Sequence, residues 1–142
     1  MEDSAPAARP LSGGPGEETI VKNCLIVDDS RVVRKVARRI LEGLHFAVEE
    51  SGSGQEALDS IRRVMPDAIL LDWATPSAAG TEFLRALRRE PGGDKPIVIF
   101  CAIENEISMI SEAIRAGAND YIMKPFDRET LQATFTEVGL IN

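Results

Sequence analysis

The sequence predicts an α/β domain built on a five-stranded parallel sheet with helices on both faces. Five short apolar runs alternate along the chain with five longer segments whose apolar residues recur at helical spacing. Continuous apolar runs are typical of strands that are buried on both faces, as in parallel sheets. Alternating strands and helices favour crossover connections, and these connections place helices on both sides of the sheet.

The five strands are identified by short apolar runs. Apolar residues make up most of each run, as in strands that are buried on both faces. Each run is also shorter than a typical helix. In chain order the predicted strands are CLIVD (24–28), FAVEE (46–50), DAILLD (67–72), PIVIFCA (96–102) and DYIM (120–123).

The five helices are identified by apolar residues that lie three or four positions apart. Gly117 is expected to end the fourth helix, because glycine tolerates the left-handed conformation found there, and Asp127 is a candidate N-cap of the fifth. In the first helix the apolar residues at helical spacing are Val32, Val33, Val36, Ile40, Leu41 and Leu44. The predicted helices cover residues 30–44, 54–64, 81–89, 106–116 and 127–138.

Residues 1–20 differ in composition from the rest of the chain. They are rich in proline, glycine, alanine and serine and poor in large apolar side chains. Such a segment cannot bury enough apolar surface to offset the entropy lost on ordering. We therefore predict a flexible N-terminal tail over residues 1–20 and one folded domain over residues 21–142.

Composition argues against several classes of protein. No stretch approaches the roughly 20 apolar residues of a membrane span, and the N-terminus lacks the apolar core of a secretory signal. We therefore expect a cytoplasmic protein without membrane insertion. A net charge of −7 argues against nucleic-acid binding.

Cys24 and Cys101 lie far apart in apolar runs and lack the spacing of a metal site. This predicts two buried reduced thiols.

Acidic side chains and one lysine stand at the ends of three predicted strands. Asp28 and Asp29 end the first strand, Asp72 ends the third, and Lys124 follows the fifth. Because the carboxyl ends of parallel strands share one edge of the sheet, these side chains are expected to converge. A divalent cation such as Mg²⁺ relieves the repulsion among crowded carboxylates. An aspartate can attack phosphorus as a nucleophile, and a lysine can neutralise a phosphoryl group.

Each of these residues also has a simpler interpretation. Asp29 or Ser30 could cap the following helix, and the segment VDDS taken alone favours capping. Asp72 could be a loop carboxylate, and Lys124 could be a surface lysine. The combination of these residue types at three strand ends is what favours a shared site.

Four segments resemble the receiver domains of two-component signalling, the fold of chemotaxis-type response regulators. They are LIVDDSRVVRKV, PDAILLDWATPSAAG, KPIVIF and AGANDYIMKPF, and the resemblance covers residues 22–139. It implies a flavodoxin-like sheet with strand order 2-1-3-4-5. Because no output domain follows in the sequence, a single-domain receiver is expected.

The resemblance implies roles for the acidic residues. Asp72 is the implied phospho-acceptor. The implied Mg²⁺ ligands are Asp28, Asp29, Asp72 and the backbone carbonyl of Ala74. A carbonyl ligand does not depend on its side chain, so alanine at this position is compatible with metal binding.

The resemblance also implies a phosphoryl contact and a conformational switch. Lys124 is the implied contact to the phosphoryl group, and its bond to Pro125 is usually cis in this family. Tyr121 matches the aromatic position that swings inward on activation. Receivers normally carry Thr or Ser at the end of the fourth strand, where this chain has Ala102. Alanine cannot donate that hydrogen bond, worth roughly 1.5–3 kcal/mol to a charged group, so we expect a weakened switch.

Two functions remain open at this point. The first is a Mg²⁺-dependent phosphoryl acceptor that is served by a sensor histidine kinase or a histidine phosphotransfer protein and contacts an unidentified downstream protein. The alternative is an adaptor that acts largely without phosphorylation, because Ala102 replaces the usual hydroxyl. An enzyme acting on an outside substrate is not expected, since a D-x-D phosphatase would need an acid at Ala74. The chain would catalyse only its own phosphorylation and dephosphorylation.

Two candidate partner surfaces are visible in the sequence. Basic residues crowd the first helix, either as a solvated face or as a docking surface for the kinase. They are Arg31, Arg34, Lys35, Arg38 and Arg39. Apolar residues around the start of the fourth helix exceed one buried stripe, and both inward packing and exposure to a partner stay open. They are Ile103, Ile107, Met109 and Ile110.

Overall fold

A computed structural model of the chain describes residues 10–14, 17–72, 80–103 and 108–142, with side chains described from residue 21 onward. The strands are β1 Pro10–Gly14, β2 Glu17–Ile20, β3 Asn23–Val27, β4 Ala47–Ser51, β5 Ala68–Asp72, β6 Ile97–Ala102 and β7 Asp120–Met123. The helices are α1 Arg31–Gly43, α2 Gly54–Arg63, α3 Gly80–Arg89, α4 Ile110–Ala116 and α5 Arg128–Glu137.

The central sheet contains five parallel strands in the order β4-β3-β5-β6-β7. Counted along the domain, this is the order 2-1-3-4-5 that the resemblance implies, so the predicted fold class is confirmed. The order reverses direction beside β3, which places the topological switch point between β3 and β5. The carboxyl ends of these two strands are therefore the expected location of a site.

Residues on opposite faces of each strand pack into two separate cores. In β3, Leu25 and Val27 belong to one apolar cluster, while Cys24 and Ile26 belong to the other. This alternation follows from the two-residue period of a strand. The first cluster includes side chains of α2, α3 and α4, and the second includes side chains of α1 and α5. Helices thus cover both faces, as the apolar strand runs predict.

Helix α1 differs from the expectation drawn from its apolar spacing. Its buried residues are Ala37 and Leu41, whereas Val32 is 70% exposed and Val36 is 49% exposed. Each of these valines lies one position, or about 100° of helical rotation, away from the stripe that faces the sheet. The structure therefore leaves two apolar side chains of α1 at the surface.

Helix ends follow the predicted capping residues. The Asp127 carboxylate accepts a hydrogen bond of 2.8 Å from the backbone N–H of Thr130 at the start of α5. Gly117 ends α4 with a φ of 127°, a conformation that side-chain-bearing residues rarely adopt.

Among the residues that the structure describes, no helix has the length and apolar character needed to cross a membrane.

Strands β1 and β2 form an antiparallel pair within the segment predicted to be a tail. Neither strand is predicted by the sequence, because glycine, proline and glutamate are poor strand formers. They belong to a two-stranded sheet of their own, separate from the central sheet. Flexibility of residues 1–20 stays a prediction.

Candidate functional site

Three carboxylates converge at the carboxyl edge of the central sheet. Asp28 and Asp29 directly follow β3, and Asp72 is the last residue of β5. Parallel pairing of β3 with β5 brings these strand ends side by side. One oxygen from each carboxylate lies within 4.8 Å of the other two. The structure thus brings together the acidic residues that the sequence analysis selected.

Asp28 is held by hydrogen bonds on both its backbone and its side chain. Its N–H donates to the carbonyl of Ser51 at 3.1 Å. Its Oδ1 accepts from the N–H of Ser30 at 2.9 Å, and its Oδ2 accepts from Lys124 Nζ at 3.0 Å. Both carboxylate oxygens therefore have defined directions within the site.

The N-cap of α1 is Ser30, not an aspartate. The Ser30 hydroxyl accepts a hydrogen bond of 3.2 Å from the N–H of Val33. The capping interpretation of the VDDS segment is thus satisfied by its serine. Asp28 and Asp29 stand before the cap, one buried and the other exposed, and both contribute an oxygen to the acidic cluster.

Lys124 links two of the three carboxylates. Its ammonium lies 3.0 Å from Asp28 Oδ2 and 3.3 Å from Asp72 Oδ1. Partial burial by itself would lower the pKa of Lys124, but the hydrogen bond to Asp28 and the charge of Asp72 outweigh it and raise this pKa. The ammonium therefore stays charged at neutral pH. The peptide bond between Lys124 and Pro125 is cis, as the resemblance implies.

The charge balance of the cluster fits a divalent cation. Three carboxylates and one ammonium carry a formal net charge of −2, and Asp28 and Asp72 are only 4% and 6% exposed. Burying excess negative charge is costly unless a cation compensates it. Carboxylate oxygens are the ligands that Mg²⁺ prefers. The side chains present therefore fit the predicted metal, and the fourth implied ligand, Ala74, lies outside the described residues.

The end of β6 lies beside this cluster and contributes no hydroxyl. Ala102 is fully buried in the apolar cluster that also contains Val27 and Leu71, and its carbonyl accepts a hydrogen bond of 2.7 Å from the N–H of Lys124. Tyr121, on β7, is 43% exposed. The implied switch positions are therefore present as an alanine at the strand end and an aromatic ring at the surface.

Cys101 is a neighbour of the site that the sequence analysis treated only as a buried thiol. Burial raises the pKa of Cys101 to about 12, with Lys124 lowering it and the charges of Asp28 and Asp72 raising it further. The thiol is therefore neutral at physiological pH and belongs to the apolar core beside the site. Cys24 and Cys101 are both buried and free, as predicted.

Two of the five basic residues of α1 form ion pairs within the domain. Arg34 Nε lies 3.0 Å from Glu50 Oε1, and Arg38 Nε lies 2.6 Å from Glu50 Oε2. Arg34 Nη1 also donates to the backbone carbonyl of Asp28 at 2.7 Å. These contacts could not be predicted, because a run of basic residues on one helix does not reveal which strand supplies their partner.

Comparison with known proteins gives consistent matches. The response regulator receiver domain family matches residues 24–136. Response regulator MprA of Mycolicibacterium vanbaalenii is 42% identical over 109 residues, which are 77% of this chain and 46% of that protein. The chain thus spans about half the length of the curated relatives it matches.

Solved structures match over most of the chain. The chemotaxis response regulator CheY4 of Vibrio cholerae has a TM-score of 0.78 and 29% identity, covering 83% of this chain and 98% of its own. The receiver domain of sensor histidine kinase PA1611 from Pseudomonas aeruginosa has a TM-score of 0.75 and 29% identity. The match covers 82% of this chain and 96% of the PA1611 receiver domain. That structure has a magnesium ion coordinated in its active site cleft.

Proposed function

The chain belongs to the response regulator receiver domain family of two-component signalling, and on that premise we propose that Asp72 accepts a phosphoryl group from a phosphohistidine donor. The donor would be a sensor histidine kinase or a histidine phosphotransfer protein. The observation that carries this proposal is the convergence of Asp28, Asp29, Asp72 and Lys124 at one edge of the sheet. No other part of the described chain combines buried carboxylates with a lysine in this way.

The proposed chemistry is an in-line displacement at phosphorus. An oxygen of Asp72 attacks the phosphoryl group, a P–O bond forms, and the P–N bond to the donor imidazole breaks. The imidazole leaves with the electron pair and takes a proton from solvent. The Lys124 ammonium, 3.3 Å from Asp72, is placed to neutralise a phosphoryl oxygen.

Asp28, Asp29, Asp72 and the carbonyl of Ala74 would hold Mg²⁺. Mg²⁺ held there would supply positive charge that offsets the negative charge of the carboxylates and of the incoming phosphoryl group. The magnesium ion in the cleft of the PA1611 receiver supports this assignment. Hydrolysis of the acyl phosphate would return the chain to its starting state, so the chain transforms only itself and no outside substrate.

Helix α1 offers a surface for the phosphoryl donor next to the site. Val32 and Val36 are exposed there together with Arg31, Lys35 and Arg39. Exposed apolar residues bordered by charge are typical of protein-binding surfaces, and the charges would guide the choice of partner. Because Arg34 and Arg38 are engaged with Glu50, we assign docking to the three other basic residues.

A second surface fits a downstream protein. Tyr121 on β7 and Ile103 directly after β6 are each 43% exposed. Met109, just before α4, and Ile114, on α4, are exposed as well. Ile110 instead packs partly against the core, and Ile107 lies outside the described residues. These exposed apolar residues support signalling through contact with a downstream protein. The proposal includes neither nucleic acid nor a membrane as a direct partner of this domain, and it includes a cytoplasmic location.

Ala102 favours a second candidate function. Without a hydroxyl at the end of β6, a phosphoryl group on Asp72 has one fewer donor through which to shift the neighbouring segment. The chain could then act as an adaptor whose partner contacts depend little on phosphorylation. The two candidates differ in whether the acceptor site responds to its ligands.

Tryptophan fluorescence tests the proposed function directly. Trp73 is the only tryptophan and follows Asp72 in the sequence, so its emission reports on the acceptor. Mg²⁺ is added first, and beryllium fluoride, a mimic of the phosphoryl group, is added second. A saturable Mg²⁺ response and a further change that is lost in Asp72→Asn would support the acceptor. The absence of both responses would favour the adaptor.

A further inference from the structure

Arg34 reaches back from α1 to the loop that carries two of the three carboxylates. It lies one turn after the cap residue Ser30, to whose carbonyl its N–H donates at 3.0 Å. Helical side chains lean toward the N-terminus of their helix. That direction allows Arg34 Nη1 to donate to the backbone carbonyl of Asp28 at 2.7 Å.

The same guanidinium is fixed from the other side by β4. Arg34 Nε lies 3.0 Å from Glu50, and Glu50 also accepts from Arg38 Nε at 2.6 Å. The hydrogen bond from Arg38, and to a smaller extent that from Arg34, lowers the pKa of Glu50. Glu50 therefore stays ionised at neutral pH. The Arg34 side chain is only 18% exposed. A largely buried cation with two fixed partners has little freedom to change its position.

Asp28 is therefore held through both of its backbone groups. Its N–H is held by the Ser51 carbonyl at the end of β4, and its carbonyl is held by Arg34, whose partner Glu50 also lies on β4. We infer that Arg34 is a positioning residue for the divalent-cation site, fixing the Asp28 carbonyl so that the Asp28 and Asp29 carboxylates face Asp72. This inference rests on the proposed Mg²⁺-dependent function.

Geometry and charge make opposite predictions for the loss of Arg34. A positive charge near a cation site repels the cation, so removal of that charge alone would strengthen Mg²⁺ binding. Loss of a group that orients a metal-binding loop weakens it instead, typically about tenfold or more. The sign of the change in Mg²⁺ affinity therefore separates a positioning role from a purely electrostatic one.

The experiment measures Mg²⁺ dissociation constants of the full chain by Trp73 fluorescence. The variants are Arg34→Gln and Arg34→Lys, and the control is Arg63→Gln, which removes an exposed arginine from the neighbouring helix α2. We expect about tenfold weaker binding for Arg34→Gln. Arg34→Lys should also bind more weakly, because an ammonium cannot reproduce the fork that joins Asp28 to Glu50. Arg63→Gln should bind Mg²⁺ as the wild type does.

A metal-free measurement keeps the inference separate from the proposed function. Amide hydrogen exchange without Mg²⁺ should be faster at Ser30, whose N–H donates to Asp28, in both Arg34 variants but not in Arg63→Gln. Unchanged or tighter Mg²⁺ binding together with unchanged exchange would overturn the role of Arg34 while leaving the acceptor site intact. If the wild type itself fails to respond to Mg²⁺, the proposed function fails, and the exchange rates still decide whether Arg34 holds the loop.

Discussion

The ends of β3 and β5 differ from the end of β6, although all three lie at the same edge of one sheet. The first two carry Asp28, Asp29 and Asp72, and one oxygen of each carboxylate lies within 4.8 Å of the other two. The third carries Ala102, fully buried among apolar side chains. We call these the acidic edge and the alanine edge. Only the acidic edge retains every residue type that the family resemblance implies.

The difference separates two tasks of a receiver domain. Accepting a phosphoryl group needs a nucleophile, a cation site and a positive side chain, and under the proposed function the acidic edge and Lys124 would supply them. Transmitting that event needs a group that binds the phosphoryl oxygens in one state only. Ala102, the last residue of β6, has no side-chain donor for that purpose. Under the proposed function, phosphoryl acceptance at Asp72 and a conformational response at Tyr121 are therefore separable.

The largest expected effect comes from removing the proposed nucleophile of the acidic edge. Asp72→Asn should abolish acyl phosphate formation, because an amide oxygen is a poor nucleophile toward phosphorus. Mass spectrometry after incubation with a phosphohistidine donor or acetyl phosphate measures the modified fraction. Asp59→Asn is the control, since Asp59 is an exposed acid on α2. Modification of Asp72→Asn at the wild-type level would contradict the assignment of Asp72.

Removal of the lysine should reduce the same reaction without abolishing it. Lys124→Gln deletes the ammonium that faces Asp28 and Asp72, and we expect phosphorylation to slow by about 10²-fold. The initial rate of acyl phosphate formation at saturating Mg²⁺ is the measurement. Lys95→Gln, on an exposed loop, provides the matched control. An equal rate in Lys124→Gln would show that Lys124 only balances charge in the resting state.

Restoring a hydroxyl at the alanine edge tests the proposed loss of coupling. Ala102→Ser should increase the response of Tyr121 to beryllium fluoride by roughly tenfold in its two-state equilibrium, as expected for one hydrogen bond to a charged group. Tyr121 is the only tyrosine in the chain, so a fluorotyrosine label gives a single ¹⁹F resonance to follow.

The control for this variant is Ala118→Ser, which makes the same change at another buried position of the same apolar cluster. It should leave the Tyr121 response at the wild-type level. A wild-type chain that already shifts Tyr121 completely, with no gain in Ala102→Ser, would remove the distinction between the two edges.

The smallest expected effect is a pH dependence of stability at Glu50. The pKa of Glu50 is lowered by hydrogen bonds from Arg38 and Arg34, so its contribution is present above its ordinary pKa of about 4.3. That contribution is lost as the pH falls through the lower pKa of the folded state. Urea unfolding should show wild type exceeding Glu50→Gln by about 1 kcal/mol or less at pH 7.

The stability difference between wild type and Glu50→Gln should shrink as the pH falls below about 4. Glu49→Gln is the control, because Glu49 is an exposed neighbour on the same strand. A difference that stays constant down to pH 2.5 would mean that the ion pairs of Glu50 with the two arginines contribute nothing to stability.

The strands and their polar ends could be predicted because the signals are local. Short apolar runs indicated all five strands of the central sheet, and the residues after them placed Asp28, Asp72 and Lys124 at one edge. The exposure of Val32 and Val36 could not be predicted, because helical spacing defines a stripe only to within one residue. Gly117 and Asp127 end and begin their helices as predicted, since capping depends on residues within one turn.

Contacts between distant parts of the chain were decided by the tertiary structure. Whether Arg34 faced solvent, Glu50 or the Asp28 carbonyl depended on the parallel register that sets β4 beside β3. The bridge from Lys124 to Asp28 joins residues 96 positions apart. Periodicity and residue chemistry are properties of short segments, so the sequence alone determined the fold class and the kinds of groups at the site. Distances, partners and burial arise only when separate segments pack together, and these decided which charges are paired and which remain exposed.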